Sequence, residues 1–122
     1  MARTKINEKW VDKNNILWIK VIEGVHIDLP SLIEDASVNL QLTKGKKVLA
    51  LYDARAFFTI TEEARDYVRS GILNKTRIAT AVVTNKLGIR IIVNFMNRFK
   101  KPKTPLKMFG NEKEALYWLK NQ

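Results

Sequence analysis

Apolar residues recur along this chain with a period that changes several times, and each change marks an element. Ile16-Leu-Trp-Ile-Lys-Val-Ile22 is dense in β-branched and aromatic residues, Glu23-Gly24 signals a turn, and Val25, Ile27 and Leu29 alternate on one face. Together they predict a β-hairpin. Residues 4–11 carry a weaker strand pattern that Asp12-Lys-Asn-Asn15 turns back. From Pro30 the period is helical through Leu32, Ile33, Ala36 and Leu40, with Asp28 as the cap and Thr43-Lys-Gly-Lys-Lys47 as the stop. Val48-Leu-Ala-Leu-Tyr52 and Ile78-Ala-Thr-Ala-Val-Val83 are continuous apolar runs, the pattern of strands buried on both faces. Between them, Thr59-Ile-Thr-Glu62 reads as a capping box, with Thr61 as the alternative cap, for a helix whose face is Ala64, Tyr67, Val68 and Ile72. Asn85 is expected to cap a third helix running from Lys86 to about Lys100. Leu106-Lys-Met-Phe109 is expected as an edge strand, and Asn111 with Glu114 caps a last helix carrying Ala115, Trp118 and Leu119.

The resulting order, β-β-α-β-α-β-α-β-α, predicts an α/β fold. Its mixed, mostly parallel sheet is packed with four helices, and residues 1–14 add an extra edge strand. With 122 residues the chain is expected to form one domain, 1–122, large enough to bury a core without metals or disulfides. It has no Cys, which excludes thiolate catalysis and Cys-based zinc sites and fits a reducing compartment. The N-terminal residues lack an apolar signal core, and the longest apolar stretch, Leu87 to Met96, is interrupted by Arg90 and Asn94. A cytoplasmic protein is expected.

Several segments together resemble the STAS-like (SpoIIAA-like) domains, whose best-known members are bacterial anti-sigma factor antagonists. The resemblance is closest to uncharacterised bacterial STAS-like proteins. It rests on Gly24-Val-His-Ile-Asp-Leu29, Leu42-Thr-Lys-Gly-Lys-Lys47, Leu51-Tyr-Asp-Ala-Arg55, Thr61-Glu-Glu-Ala-Arg65 and the stretch from Pro105 to Leu119. It implies the SpoIIAA-like fold and a small regulatory or interaction module. In the sigma-regulating members a phosphorylatable Ser lies in an Asp-Ser-Ser-Gly motif. Here the corresponding place is Thr61-Glu-Glu-Ala64, without Ser or Gly, so the resemblance does not carry that switch to this chain. Thr59 and Thr61 are the hydroxyls left there.

Charge then narrows the search. Between Asp66 and Glu112 lie ten basic residues and no acidic one, so the whole formal charge of +10 sits in this segment. Lys86, Arg90, Asn94, Arg98 and Lys101 follow at spacings of three or four, a basic stripe on the third helix. Leu87, Ile91, Ile92, Phe95, Met96 and Phe99 are expected on its opposite side, with Ile89 and Val93 widening it. The plainer reading of such a helix is an apolar face on the sheet and charges in water. The sharper one is an anion or partner site at Asn85, Lys86, Arg90, Arg98 and Lys101, where the first helical turn faces the strand ends. Asp53, Arg55, Thr59 and Thr61 lie at neighbouring strand ends and helix starts, and Asp53 with Arg55 suits an ion pair. The single His, His26, lacks the companions of a triad or a metal site, so no enzyme activity and no cofactor are expected. The expected role is a non-enzymatic module binding a protein partner or a small anionic ligand. The alternative is peripheral binding to an acidic lipid surface through the basic helix 86–101. Homodimerisation through an exposed edge or helix face fits the pattern. Nucleic acid is not expected, because no aromatic residues interleave with the lysines of Lys100-Lys-Pro-Lys103.

Overall fold

The computed structural model describes residues 1–100 and 103–122; Lys101, expected in the basic stripe, lies outside them. The strands are β1 (Ala2–Arg3), β2 (Asn7–Val11), β3 (Ile16–Val21), β4 (Val25–Ile27), β5 (Val48–Asp53), β6 (Phe58–Ile60), β7 (Arg77–Val83) and β8 (Leu106–Phe109). The helices are α1 (Leu29–Thr43), α2 (Glu62–Arg69), α3 (Leu87–Phe95), which continues as a π-helical turn Met96–Lys100, and α4 (Glu112–Lys120). Six strands form the main sheet in the order β1-β2-β3-β5-β7-β8. β1, β2 and β3 pair antiparallel, and β3, β5, β7 and β8 pair parallel. The mixed, mostly parallel sheet with four helices is as expected, with β8 at one edge and β1 at the other.

The expected hairpin of residues 16–29 does not form. β3 pairs with β2 on one side and β5 on the other, so Trp18 lies opposite both Trp10 and Leu51. Ile16, Leu17, Ile19 and Val21 are all buried, which is the signature of a central strand rather than a hairpin arm. β4 instead leaves the sheet after Gly24, whose φ of 82° only glycine adopts freely, and pairs parallel with β6. Asp28 caps α1 as expected, accepting from the Ser31 N–H at 2.9 Å.

α4 alone covers one face of the sheet, with Ala115 and Leu119 against Ile16, Leu51, Ala79, Ala81 and Val83. α1, α2 and α3 cover the other. The face that α1 turns inward differs from expectation. Leu32 is buried, but so are Asp35 and Asn39, while Ile33 and Leu40 are exposed. The reason lies on β2, whose inward residues are Asn7 and Lys9. The Lys9 Nζ is 2.6 Å from the Asp35 Oδ2 and donates to the Asp35 carbonyl at 2.8 Å and the Asn39 Oδ1 at 2.5 Å. Asn7 and Thr4 also donate to the Asp35 carboxylate. A buried ion pair requires such surrounding hydrogen bonds, and those bonds fix the rotation of α1.

α3 also differs. Val93 and Met96 are buried against Val82 and Leu106, with Ile89 and Ile92 packed beside them. Leu87, Ile91, Phe95 and Phe99, expected on that inner side, are exposed. A helix advances about 100° per residue, so positions 89, 92, 93 and 96 share one side and 87, 91 and 95 the other. The basic residues Arg90 and Arg98 therefore alternate with an outward apolar row. Among the described residues no helix is long and apolar enough to cross a membrane.

Candidate functional site

Of the sequence-expected residues, Asp53, Arg55 and Lys86 come together at the strand ends, and these groups largely satisfy one another. Asp53 ends β5 and accepts from Arg55 twice, at Nε 2.9 Å and Nη2 2.8 Å; the Arg55 guanidinium also reaches Glu112 at the start of α4, at 2.9 Å. Burial alone would raise the Asp53 carboxyl, but the hydrogen bonds and charge of Arg55 outweigh it and hold the group below the usual carboxylate range. The ion pair joins the end of a central strand to the helix on the far face.

Lys86 is tied to the same loop. Its Nζ donates to the Arg55 carbonyl at 3.0 Å and to the Ala56 carbonyl, and it lies 5.4 Å from the Phe58 ring centre. Asn85 is exposed and is not the cap of α3; that position belongs to Lys86, and no side chain caps the helix. Thr84 takes the nearby amide instead, its hydroxyl accepting from the Lys86 N–H at 3.1 Å. Thr61, not Thr59, caps α2, accepting from the Ala64 N–H at 3.1 Å. Thr59 sits on β6, where its hydroxyl meets His26 Nδ1 at 2.7 Å. Arg90 on α3 and Arg98 on its π-helical turn are exposed and join no ion pair among the described residues.

The feature that sequence reasoning missed lies beneath α3. Between the sheet and helices α1, α2 and α3 is a cavity of about 330 Å³, within the range of small-molecule sites. Its walls are mainly apolar, with Ile27, Leu32, Phe58, Val82, Ile89 and Met96 among them. Arg77 from β7 and Arg65 from α2 enter the same lining. The Arg77 side chain has neither a hydrogen bond nor an ion pair among the described residues, although the residue is only 5% exposed. Burial draws its guanidinium down to about 10, with Tyr52 and Asp35 pulling the other way, so it stays charged at neutral pH. The Nε of Arg65 is buried and likewise unpartnered. Asp35, the acid in the wall, already accepts from Lys9, Asn7 and Thr4. Tyr52, also in the wall, has its phenol pushed above the ordinary tyrosine value by burial.

A register slip aims Arg77 at this cavity. Val48 lies opposite Arg77 and Leu49 opposite Ala79, so Ile78 has no partner on β5. Strict alternation back from Val82 and Thr80 would place Ile78 inward and Arg77 against α4. The bulge sends Ile78 outside and turns Arg77 to the side of Thr80 and Val82. Period-two reading of the sequence therefore assigns Arg77 to the wrong face. The usable signal was a basic residue directly before an otherwise uncharged buried strand.

No curated protein matches the chain. Among solved structures it is similar to an uncharacterized protein of the DUF3478 family with a SpoIIAA-like fold from Shewanella loihica PV-4. The two share 16% identity with a TM-score of 0.67, over 98% of this chain and 98% of that one, a likeness that shows the fold alone. The SpoIIAA-like fold implied by the sequence resemblance is thus the fold observed. A family model described as Domain of unknown function (DUF7793) matches residues 9–122, and the chain belongs to that family.

Proposed function

We propose that this chain is a non-enzymatic binding module whose ligand is a small organic anion with an apolar body, held in the cavity with its charge against Arg77. The observation that carries this reading is the Arg77 guanidinium, 5% exposed and without a hydrogen bond or ion pair among the described residues, in a mainly apolar wall. Asp35 acts on this charge without contacting it and is itself bound by Lys9, so an anionic head group would supply a direct partner that the free protein lacks among its described residues. The buried, unpartnered Nε of Arg65 offers a second donor. Gly88 and Ile89, in the uncapped first turn of α3, line the same space and add a positive field. The wall presents no nucleophile beside a base, and its one carboxylate is already bound by Lys9, which favours retention over chemistry.

The test is calorimetric titration of the protein with decanoate and with decanol. Decanoate is expected to bind at least about tenfold more tightly than the neutral alcohol, the difference of one charge-assisted hydrogen bond. Arg77→Met should remove that preference. Equal affinity for the two ligands, or an unchanged preference in Arg77→Met, overturns the reading.

A further inference from the structure

We infer that the outer face of α3 and its π-helical turn is a docking surface for an acidic lipid bilayer. The inference stands independently of the cavity's ligand. Leu87, Ile91 and Phe99 are 71%, 60% and 66% exposed, and Phe95 lies between the last two in the same row. Monomers rarely leave so many large apolar side chains together on one helix face, and such a patch marks an interaction site. The inner side of the helix is already buried against the sheet by Val93 and Met96, so the outer row does not serve the core.

Charge decides what covers it. Arg90 follows Leu87 by three residues and Arg98 follows Phe95 by three, so both border the apolar row. The Arg98 guanidinium lies 5.6 Å from the Phe99 ring centre. No acidic residue occurs from 67 to 111. A second copy docking by this face in a two-fold dimer would bring the Arg90 and Arg98 of both copies into one contact with no acidic residue from either helix to offset them. An anionic bilayer meets both requirements at once: acyl chains for Leu87, Ile91, Phe95 and Phe99, and head groups for the arginines.

The experiment is co-sedimentation of the full chain with vesicles of phosphatidylglycerol in phosphatidylcholine and of phosphatidylcholine alone. Binding is expected to the acidic vesicles only. Leu87→Ser/Ile91→Ser/Phe99→Ser and Arg90→Gln/Arg98→Gln should each lower partitioning about tenfold or more. Lys46→Gln/Lys47→Gln, which removes the same charge from the loop before β5, should lower it much less. Unchanged circular dichroism and melting of the variants would show that the fold is kept. The inference is overturned by absent binding, by equal binding to both vesicle types, or by variants that bind as well as the parent. It is equally overturned if the loop pair loses as much as the helix pair. A concentration-dependent dimer dissolved by the triple Ser variant, without vesicle binding, would assign the face to a second copy and overturn it too.

Discussion

Lys9 on β2 and Asp35 on α1 form an ion pair at 2.6 Å with side-chain exposures of 0% and 5%. Burial pushes the Lys9 ammonium below the usual lysine range, against the opposing pull of Asp35. Removing one partner leaves the other charged in the interior. Asp35→Ala or Lys9→Met alone is expected to cost about 3–5 kcal/mol in urea unfolding. The double change Lys9→Met/Asp35→Leu should recover most of that loss, because neither charge is then left alone.

Arg77 should behave in the opposite way. Its guanidinium has no partner among the described residues, so Arg77→Met is expected to raise stability by about 1–2 kcal/mol while removing the preference for an anion. Thermal melting of the ligand-free variant checks this. A lower melting temperature would mean that the guanidinium holds the fold together.

The Asp53–Arg55 pair predicts an acid limb. The Asp53 carboxyl lies below its unfolded value of 3.8, so below that value the unfolded chain binds more protons. The contribution is full above about pH 4 and is lost as pH falls through the lower folded value. Asp53→Asn should flatten the stability curve below pH 4 relative to the parent, measured by urea unfolding at successive pH values.

The two sides of α3 should respond differently to truncation. Met96→Ala, on the buried side, is expected to cost about 2–5 kcal/mol. Phe99→Ser, on the exposed side, should stay within about 0.5 kcal/mol of the parent. Parallel denaturant titrations compare them directly.

Trp10 and Trp18 stack at 5.4 Å between ring centres with planes 11° apart, and the Trp18 Nε1 donates to Asp12 at 2.9 Å. A double-mutant cycle on Trp10→Leu and Trp18→Leu is expected to give a coupling of about 0.5–1.5 kcal/mol.

Much of the fold was legible because several elements obey a single period. β5 and β7 read as continuous apolar runs, β8 as an edge, and the caps at Asp28 and Asn111 follow local side-chain chemistry. Where a tertiary partner overrides the pattern, sequence reading failed. β2 has a weak strand pattern because its inward residues are Asn7 and Lys9, buried because the Asn7 amide N–H and the Lys9 ammonium donate to α1. That hidden partnership also misassigned the face of α1, where Asp35 and Asn39 replaced Ile33 and Leu40. The doubly buried β3 reads as a hairpin arm in sequence because its second neighbour in the sheet, β5, lies about thirty residues further on. Of the candidate residues, Asp53, Arg55 and Lys86 lie together, held mainly by bonds to one another and to the loop between them. Arg77 was missed because its direction depends on the pairing between β5 and β7.

The slip at Ile78 has a further consequence, in the parity of the strand. Counted back from Ala79, which faces α4, the next slot belongs to the cavity side. Ile78 is supernumerary and Arg77 is the residue that fills that slot. Deleting Ile78 would therefore leave Arg77 facing the cavity in an unbroken ladder, whereas adding one more residue to a ladder without the bulge would turn it away. A related chain one residue shorter here can place its cation identically while looking, by odd and even count, as though it had moved to the other side. Alignments of such chains must follow the strand's slots rather than its residue numbers.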